Sequence, residues 1–203
     1  MFKTIGVVGD SIPEGSGDNE GKGWFIRMGE IICARYPGHF RFANMSNGGD
    51  IICDALHRLS YEAFSRNIKF LILNVGANDI KRRANSGFEI DLSVGIRQAY
   101  WEKMLKLAKK TGAKIMVLDI LPIIEEKGNG INPIRYNSDI EAYNALIGAL
   151  CQEHGVPFLR RYPHWQNDSL QEYYADGLHP NAKGHQRIAE EVYRKINDMG
   201  WLG

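Results

Sequence analysis

Ile68-Lys69-Phe70-Leu71-Ile72-Leu73-Asn74-Val75 is an apolar run rich in β-branched residues and broken only by Lys69 and Asn74. Strands exposed on one face alternate apolar with polar, whereas a strand covered on both faces stays apolar throughout. The stretch therefore predicts a strand buried inside a parallel sheet. Similar short runs lie on either side of it: Lys3–Val8, Phe40–Met45, Lys114–Leu121 (KIMVLDIL, closed by Pro122) and Val156–Leu159. Longer amphipathic segments separate them, and these predict helices over Trp24–Tyr36, Ile52–Arg66, Leu92–Lys110, Ser138–His154 and Asn181–Met199. Lys106, Lys109 and Lys110 suit the negative end of the helix dipole, with Gly112 as the stop.

The order β-α-β-α-β-α-β-α-β-α implies right-handed crossovers and a parallel sheet covered on both faces. The expected fold is α/β, a three-layer, flavodoxin-like α/β/α arrangement of five parallel strands. With 203 residues and no visible linker, repeat or low-complexity tract, one domain over 1–203 is expected.

Composition narrows the functional classes. Lys plus Arg number 25 and Asp plus Glu 24, a net charge of +1. That balance gives no electrostatic footprint for nucleic acid or an anionic membrane. No stretch approaches the roughly 20 apolar residues of a membrane span. No targeting segment is visible, so a cytoplasmic location is expected, without membrane insertion. Cys33, Cys53 and Cys151 are odd in number, lack CxxC spacing and sit in helical stretches, which predicts buried, reduced thiols. No His/Cys/Asp/Glu set has metal spacing, so neither metal nor cofactor is expected.

Long connections follow the expected strands: Asp10–Gly23, Ile80–Asp91, Ile123–Asn137 and Arg160–Leu178. Ligands of open parallel sheets bind outside the carboxyl ends of the strands, and loops there carry function. Gly9-Asp10-Ser11 ends the first strand, where a serine at a corner can raise its hydroxyl above the sheet. Gly48-Gly49-Asp50 follows the second, and a glycine lets a backbone N–H approach a ligand closely. Gly76-Ala77-Asn78-Asp79 follows the third, and Asn78 carries an amide that could donate to a developing oxyanion. Asp79 reads as a structural partner of backbone. Asp176-Gly177-Leu178-His179 precedes the last helix. His is the base whose pKa lies near neutrality, and a carboxylate three residues earlier can curl back to orient it. Each motif alone also fits an ordinary turn. Together they offer a nucleophile, donors and an oriented base at one face of one sheet.

With these four pieces in order across nearly the whole chain, the sequence resembles the SGNH hydrolases, also called the GDSL esterase/lipase family. Ile12 stands where the GDSL name has Leu. The resemblance implies Ser11 as nucleophile, His179 as base and Asp176 as its orienter. It also implies an oxyanion hole from the Ser11 and Gly49 N–H groups and the Asn78 side chain. The expected activity is hydrolysis of small or short-chain acyl esters, or of acetylated carbohydrates, through an acyl-enzyme. An acyl-CoA thioesterase, a lysophospholipase and a non-catalytic small-molecule binder are the alternatives. The absence of Gly-x-Ser-x-Gly, of a Rossmann fingerprint and of a GK[ST] loop argues against the other common α/β sites. Two features bear on the substrate without deciding it. Lys81-Arg82-Arg83 could receive an anionic leaving group. Tyr162, His164, Trp165, Tyr173 and Tyr174 could stack on sugar, line an acyl pocket or pack under their loop. His185 reads as a surface or packing residue.

Overall fold

A computed structural model describes residues 2–83, 87, 89–128 and 134–203, so the long connections expected at 80–91 and 123–137 are described only in part. Among the described residues five strands are present: β1 (Lys3–Gly9), β2 (Phe40–Asn44), β3 (Phe70–Asn74), β4 (Lys114–Leu118) and β5 (Phe158–Leu159). All pair in parallel, in the order β2-β1-β3-β4-β5. The helices are α1 (Ser11–Glu14), α2 (Gly23–Arg35), α3 (Ile52–Ser65), α4 (Val94–Lys110), α5 (Glu125–Gly128), α6 (Asn137–Glu153), α7 (Tyr162–Gln166) and α8 (Ala182–Asp198).

The strands sort their side chains with period two, as the pleat requires. Ile5, Val7, Phe70, Ile72, Met116 and Leu118 enter a core shared with α2 and α8. Val8, Leu71, Leu73, Ile115 and Val117 enter the opposite core, shared with α3, α4 and α6. Each face of the sheet is thus covered, giving the expected three layers. The central strand β3 is buried throughout and apolar at every position but its last residue, Asn74, because both of its faces are covered, whereas the edge strand β2 carries exposed Arg41 and Asn44.

Differences from expectation lie at the ends and in the loops. β3 and β4 are shorter than their apolar runs, because Val75, Ile120 and Leu121 stay buried after strand pairing has stopped, and β5 starts late, with Val156 buried before it pairs. Ser11 does not sit in an open corner but begins the one-turn helix α1. Asp10 caps it, with Oδ1 accepting from Ile12 N–H at 3.2 Å. The aromatic stretch after β5 folds as α7 and a 3₁₀ turn over Leu170–Glu172. There Tyr162, Trp165 and Tyr174 are buried in the cores, which favours packing over a ligand-facing role for these three. The cysteines are not uniformly buried. Cys151 is buried, but Cys33 is exposed and Cys53 half-buried, because their positions on α2 and α3 fall off the apolar stripes of those helices. No helix among the described residues is long and apolar enough to cross a membrane.

Candidate active site

Strand order reverses direction between β1 and β3: from β1 the chain steps to β2 on one side, then returns to β3 on the other. Such a switch point leaves a crevice at the carboxyl ends, because consecutive loops depart to opposite sides. Gly9 and Asn74 are register partners, so β1 and β3 end level. Ser11 follows the first, Asn78 the second, and Gly49 follows β2 beside them.

His179, 168 residues from Ser11, reaches this crevice from the turn before α8. Ser11 Oγ lies 3.0 Å from His179 Nε2, and His179 Nδ1 lies 2.7 Å from Asp176 Oδ2. The other oxygen, Asp176 Oδ1, accepts from the N–H groups of Leu178 (2.9 Å) and His179 (2.7 Å). Partial burial raises the Asp176 pKa, but the bonds from His179 and Leu178 outweigh it. Its carboxyl is held below the usual range and is ionised at neutral pH. With the carboxylate on Nδ1, the proton belongs there, and Nε2 is left to accept from the Ser11 hydroxyl.

The turn carrying His179 is braced by the glycine-rich loop after α1. Gly17 has φ +90, and a Cβ there would lie 2.4 Å from Pro180 O and 2.8 Å from His179 Cβ. A glycine is required on both counts. His185, one helical turn into α8, is fully buried. Its Nδ1 accepts from Trp24 N–H at 3.1 Å, and its Nε2 donates to Ser16 O at 3.0 Å. It is a packing residue with a specific tautomer, and burial lowers its pKa.

The expected donors follow the ends of β1, β2 and β3. Among the described residues neither Ser11 N–H nor Gly49 N–H donates to a protein acceptor. Gly49 has φ +86 with open space where a Cβ would be, so its requirement is conformational rather than steric. The Asn78 side chain is buried, with Nδ2 donating to Asp50 O at 3.0 Å, which uses one of its two hydrogens.

Beneath these groups are two buried carboxyls. Asp10 is pushed up to about 6 by burial, with the Ile12 and Gly76 N–H groups pulling the other way. Asp79 is pushed up to about 7, also by burial. Its Oδ1 accepts from Ile52 N–H at the start of α3 (2.8 Å), and its Oδ2 from the Tyr143 hydroxyl (2.5 Å), which itself accepts from Trp101 Nε1 (2.9 Å). Asp79 is structural, as expected, but its partners lie on distant elements.

Arg135 was not singled out from the sequence. It is buried, with Nε donating to Ala77 O at 2.7 Å and Nη2 to Asn78 Oδ1 at 3.1 Å. No local pattern marks it, since its place depends on a long-range loop pairing. Of the basic run, Arg82 forks onto Asp139 (2.8 and 2.8 Å) and Arg83 Nε donates to Asp91 at 2.7 Å. Among the described residues no cluster of three or more His, Cys, Asp or Glu could hold a metal ion.

A doubly covered parallel sheet with a hydroxyl, an imidazole and a carboxylate in relay at its switch point has the layout of a hydrolytic enzyme. The comparisons with known proteins narrow this further. The sequence profile described as the GDSL-like Lipase/Acylhydrolase family matches residues 7–187. Esterase TesA of Pseudomonas aeruginosa is 27% identical over 202 residues, spanning 97% of this chain and 89% of that protein. Two solved structures share the fold at 20% identity and a TM-score of 0.78. One is an acetyl xylan esterase, AlAXEase (95% of this chain, 99% of that one). The other is a lipase/acylhydrolase from Enterococcus faecalis (98% and 97%). The chain belongs to the GDSL-like lipase/acylhydrolase family and is a carboxylic ester hydrolase.

Proposed function

We propose that this enzyme is a serine esterase acting through an acyl-enzyme, with Ser11, His179 and Asp176 as its triad. The observation that carries this reading is the unbroken relay Ser11 Oγ–His179 Nε2–Asp176, at 3.0 and 2.7 Å, above the β1/β3 switch point. Ser11 Oγ attacks the ester carbonyl as His179 Nε2 takes its proton, while Asp176 supports the imidazolium that forms. The oxyanion is received by Ser11 N–H, Gly49 N–H and the second hydrogen of Asn78 Nδ2. His179 then protonates the departing alcohol, and water repeats the sequence on the acyl group.

The substrate we propose is a small or short-chain acyl ester, acetylated carbohydrates included. Ser11 and His179 are only half-buried and Asp176 is exposed, so the reacting carbonyl is reached from an open surface. An open approach leaves room for a bulky soluble alcohol. The likeness to an acetyl xylan esterase is compatible with this. An acyl-CoA thioesterase would need the basic run to receive a phosphorylated leaving group. Two of that run's three cations are engaged within the protein, Arg82 with Asp139 and Arg83 with Asp91.

Hydrolysis of p-nitrophenyl acetate, butyrate, octanoate and palmitate by the wild type and by Ser11→Ala tests the reading. The wild type is expected to prefer acetate or butyrate, and Ser11→Ala to lose practical turnover, roughly 10⁶-fold. Residual activity near wild type in Ser11→Ala would remove Ser11 as nucleophile, and a preference for palmitate would remove the short-chain assignment.

A further inference from the structure

We infer that Arg135 is a positioning residue for catalysis, fixing which face of the Asn78 amide is turned to the oxyanion. This rests on the proposed role of Asn78 and extends it to a residue outside the family's motifs.

A primary amide is nearly symmetric in shape, and its two orientations differ mainly in hydrogen bonding. Only one presents N–H to a developing negative charge. Around Asn78, the partners are of opposite kinds. Arg135 Nη2, a donor with no acceptor capacity, lies 3.1 Å from Oδ1, and the Asp50 carbonyl, an acceptor, lies 3.0 Å from Nδ2. Turning the amide over would set N–H against guanidinium and carbonyl against carbonyl. Both contacts would become repulsive in a buried place, where water is not at hand to satisfy the groups left unpaired. The same guanidinium donates from Nε to Ala77 O at 2.7 Å. Two teeth of one rigid fork therefore engage consecutive residues of the Gly76–Asp79 turn. A cation on Oδ1 also draws electron density from the amide nitrogen, which makes its remaining N–H a better donor.

The fold delivers Arg135 deliberately. Its neighbour Ile134 pairs with Arg82 through two backbone bonds of 3.0 Å, joining the loop after β4 to the loop after β3. The Arg82–Asp139 pair closes the same junction from the other side. Burying a guanidinium is expensive unless it is hydrogen-bonded, and two nitrogens of this one donate to the turn carrying Asn78.

Arg135 does not touch the reacting atoms, so it acts through Asn78, and a double-mutant cycle separates this role from a structural one. Asn78→Ala is expected to lower kcat by about 10²–10³. Arg135→Met should lower it by roughly 10–100-fold with KM nearly unchanged, the sign of an interaction used only in the transition state. In the Asn78→Ala background Arg135→Met should cost nothing further. Arg135→Lys keeps the charge and chain but cannot span both acceptors. It should fold as wild type by thermal melting, retain more activity than Arg135→Met, and likewise lose its effect when Asn78 is absent. Multiplicative losses for either Arg135 variant in the Asn78→Ala background would overturn the inference. A wild-type kcat in Asn78→Ala alone would remove the oxyanion role of Asn78, and the role of Arg135 with it.

Discussion

Both oxygens of Asp176 engage His179. Oδ2 holds the His179 ring, while Oδ1 holds the His179 backbone N–H together with that of Leu178. Three residues of spacing allow a carboxylate to fix both the position and the tautomer of the same histidine, within a turn that needs no third element. An amide in its place could keep the backbone bonds through its oxygen, but its –NH₂ would face Nδ1. The imidazole would then be driven to the wrong tautomer, with its proton on Nε2. Asp176→Asn is therefore expected to lower kcat by roughly 10³–10⁴-fold while circular dichroism and the melting curve stay close to wild type. A loss below tenfold would show that Asp176 does not set the tautomer. Asn78 and Asp79, adjacent in sequence, take different partners: Asn78 engages Asp50 O and Arg135, and Asp79 engages Tyr143 and the start of α3.

At the scale of elements, the site exists because of where strands stop and loops meet. The sheet and five long helices were legible in the sequence because a doubly covered strand and an amphipathic helix each impose a period on side chains. Ser11, Gly49, Asn78, Asp176 and His179 were legible as candidates because each lies in a short motif beside a strand end or helix start, and the coordinates bring Ser11, His179 and Asp176 into contact. What escaped was non-local or too short to have a period: the single turn of α1, the α7 turn, and Arg135, whose place is set by the pairing of Ile134 with Arg82. The exposure of Cys33 escaped because apolar neighbours say little about which side of a helix a residue faces. Gly17 is another such case, a residue that looks like loop filler until it meets the turn before α8. Substituting alanine would place a methyl within 2.8 Å of Pro180 O and His179 Cβ at a φ of +90. Gly17→Ala is expected to cost about 1–3 kcal/mol of stability and to displace His179, lowering kcat more than tenfold. Steady-state kinetics with a melting curve check both, and wild-type values in each would show that the two loops do not brace one another.

For the molecule as a whole, the ends of the chain are tied together by a titratable group. α2 and α8 lie on the same face of the sheet and share one core. Between them His185 accepts from Trp24 N–H and donates to Ser16 O, a bond pattern open only to the neutral ring protonated on Nε2. Protonation would put a second donor against the Trp24 N–H, and burial lowers the His185 pKa accordingly. In the folded state the group resists its proton, while the unfolded chain accepts one near pH 6.5. The stability it confers is thus fully present above that value and is lost as pH falls toward the depressed folded pKa. Asp10 and Asp79 act with the opposite sign. Burial raises them to about 6 and about 7, so their contribution is greatest below about pH 4 and falls as pH rises to these values. The net curve of the wild type mixes these trends, and only a difference between proteins isolates one of them. His185→Gln removes the titrating group while leaving a carbonyl and an amide of similar reach. The stability advantage of wild type over His185→Gln, from denaturant melts, should be largest at pH 7–8 and shrink steadily from pH 6.5 to pH 5. A difference that stays constant over this range would mean that His185 does not titrate against folding. Because the same helix begins just after His179, the acid loss of this bond would also loosen the seat of the proposed base.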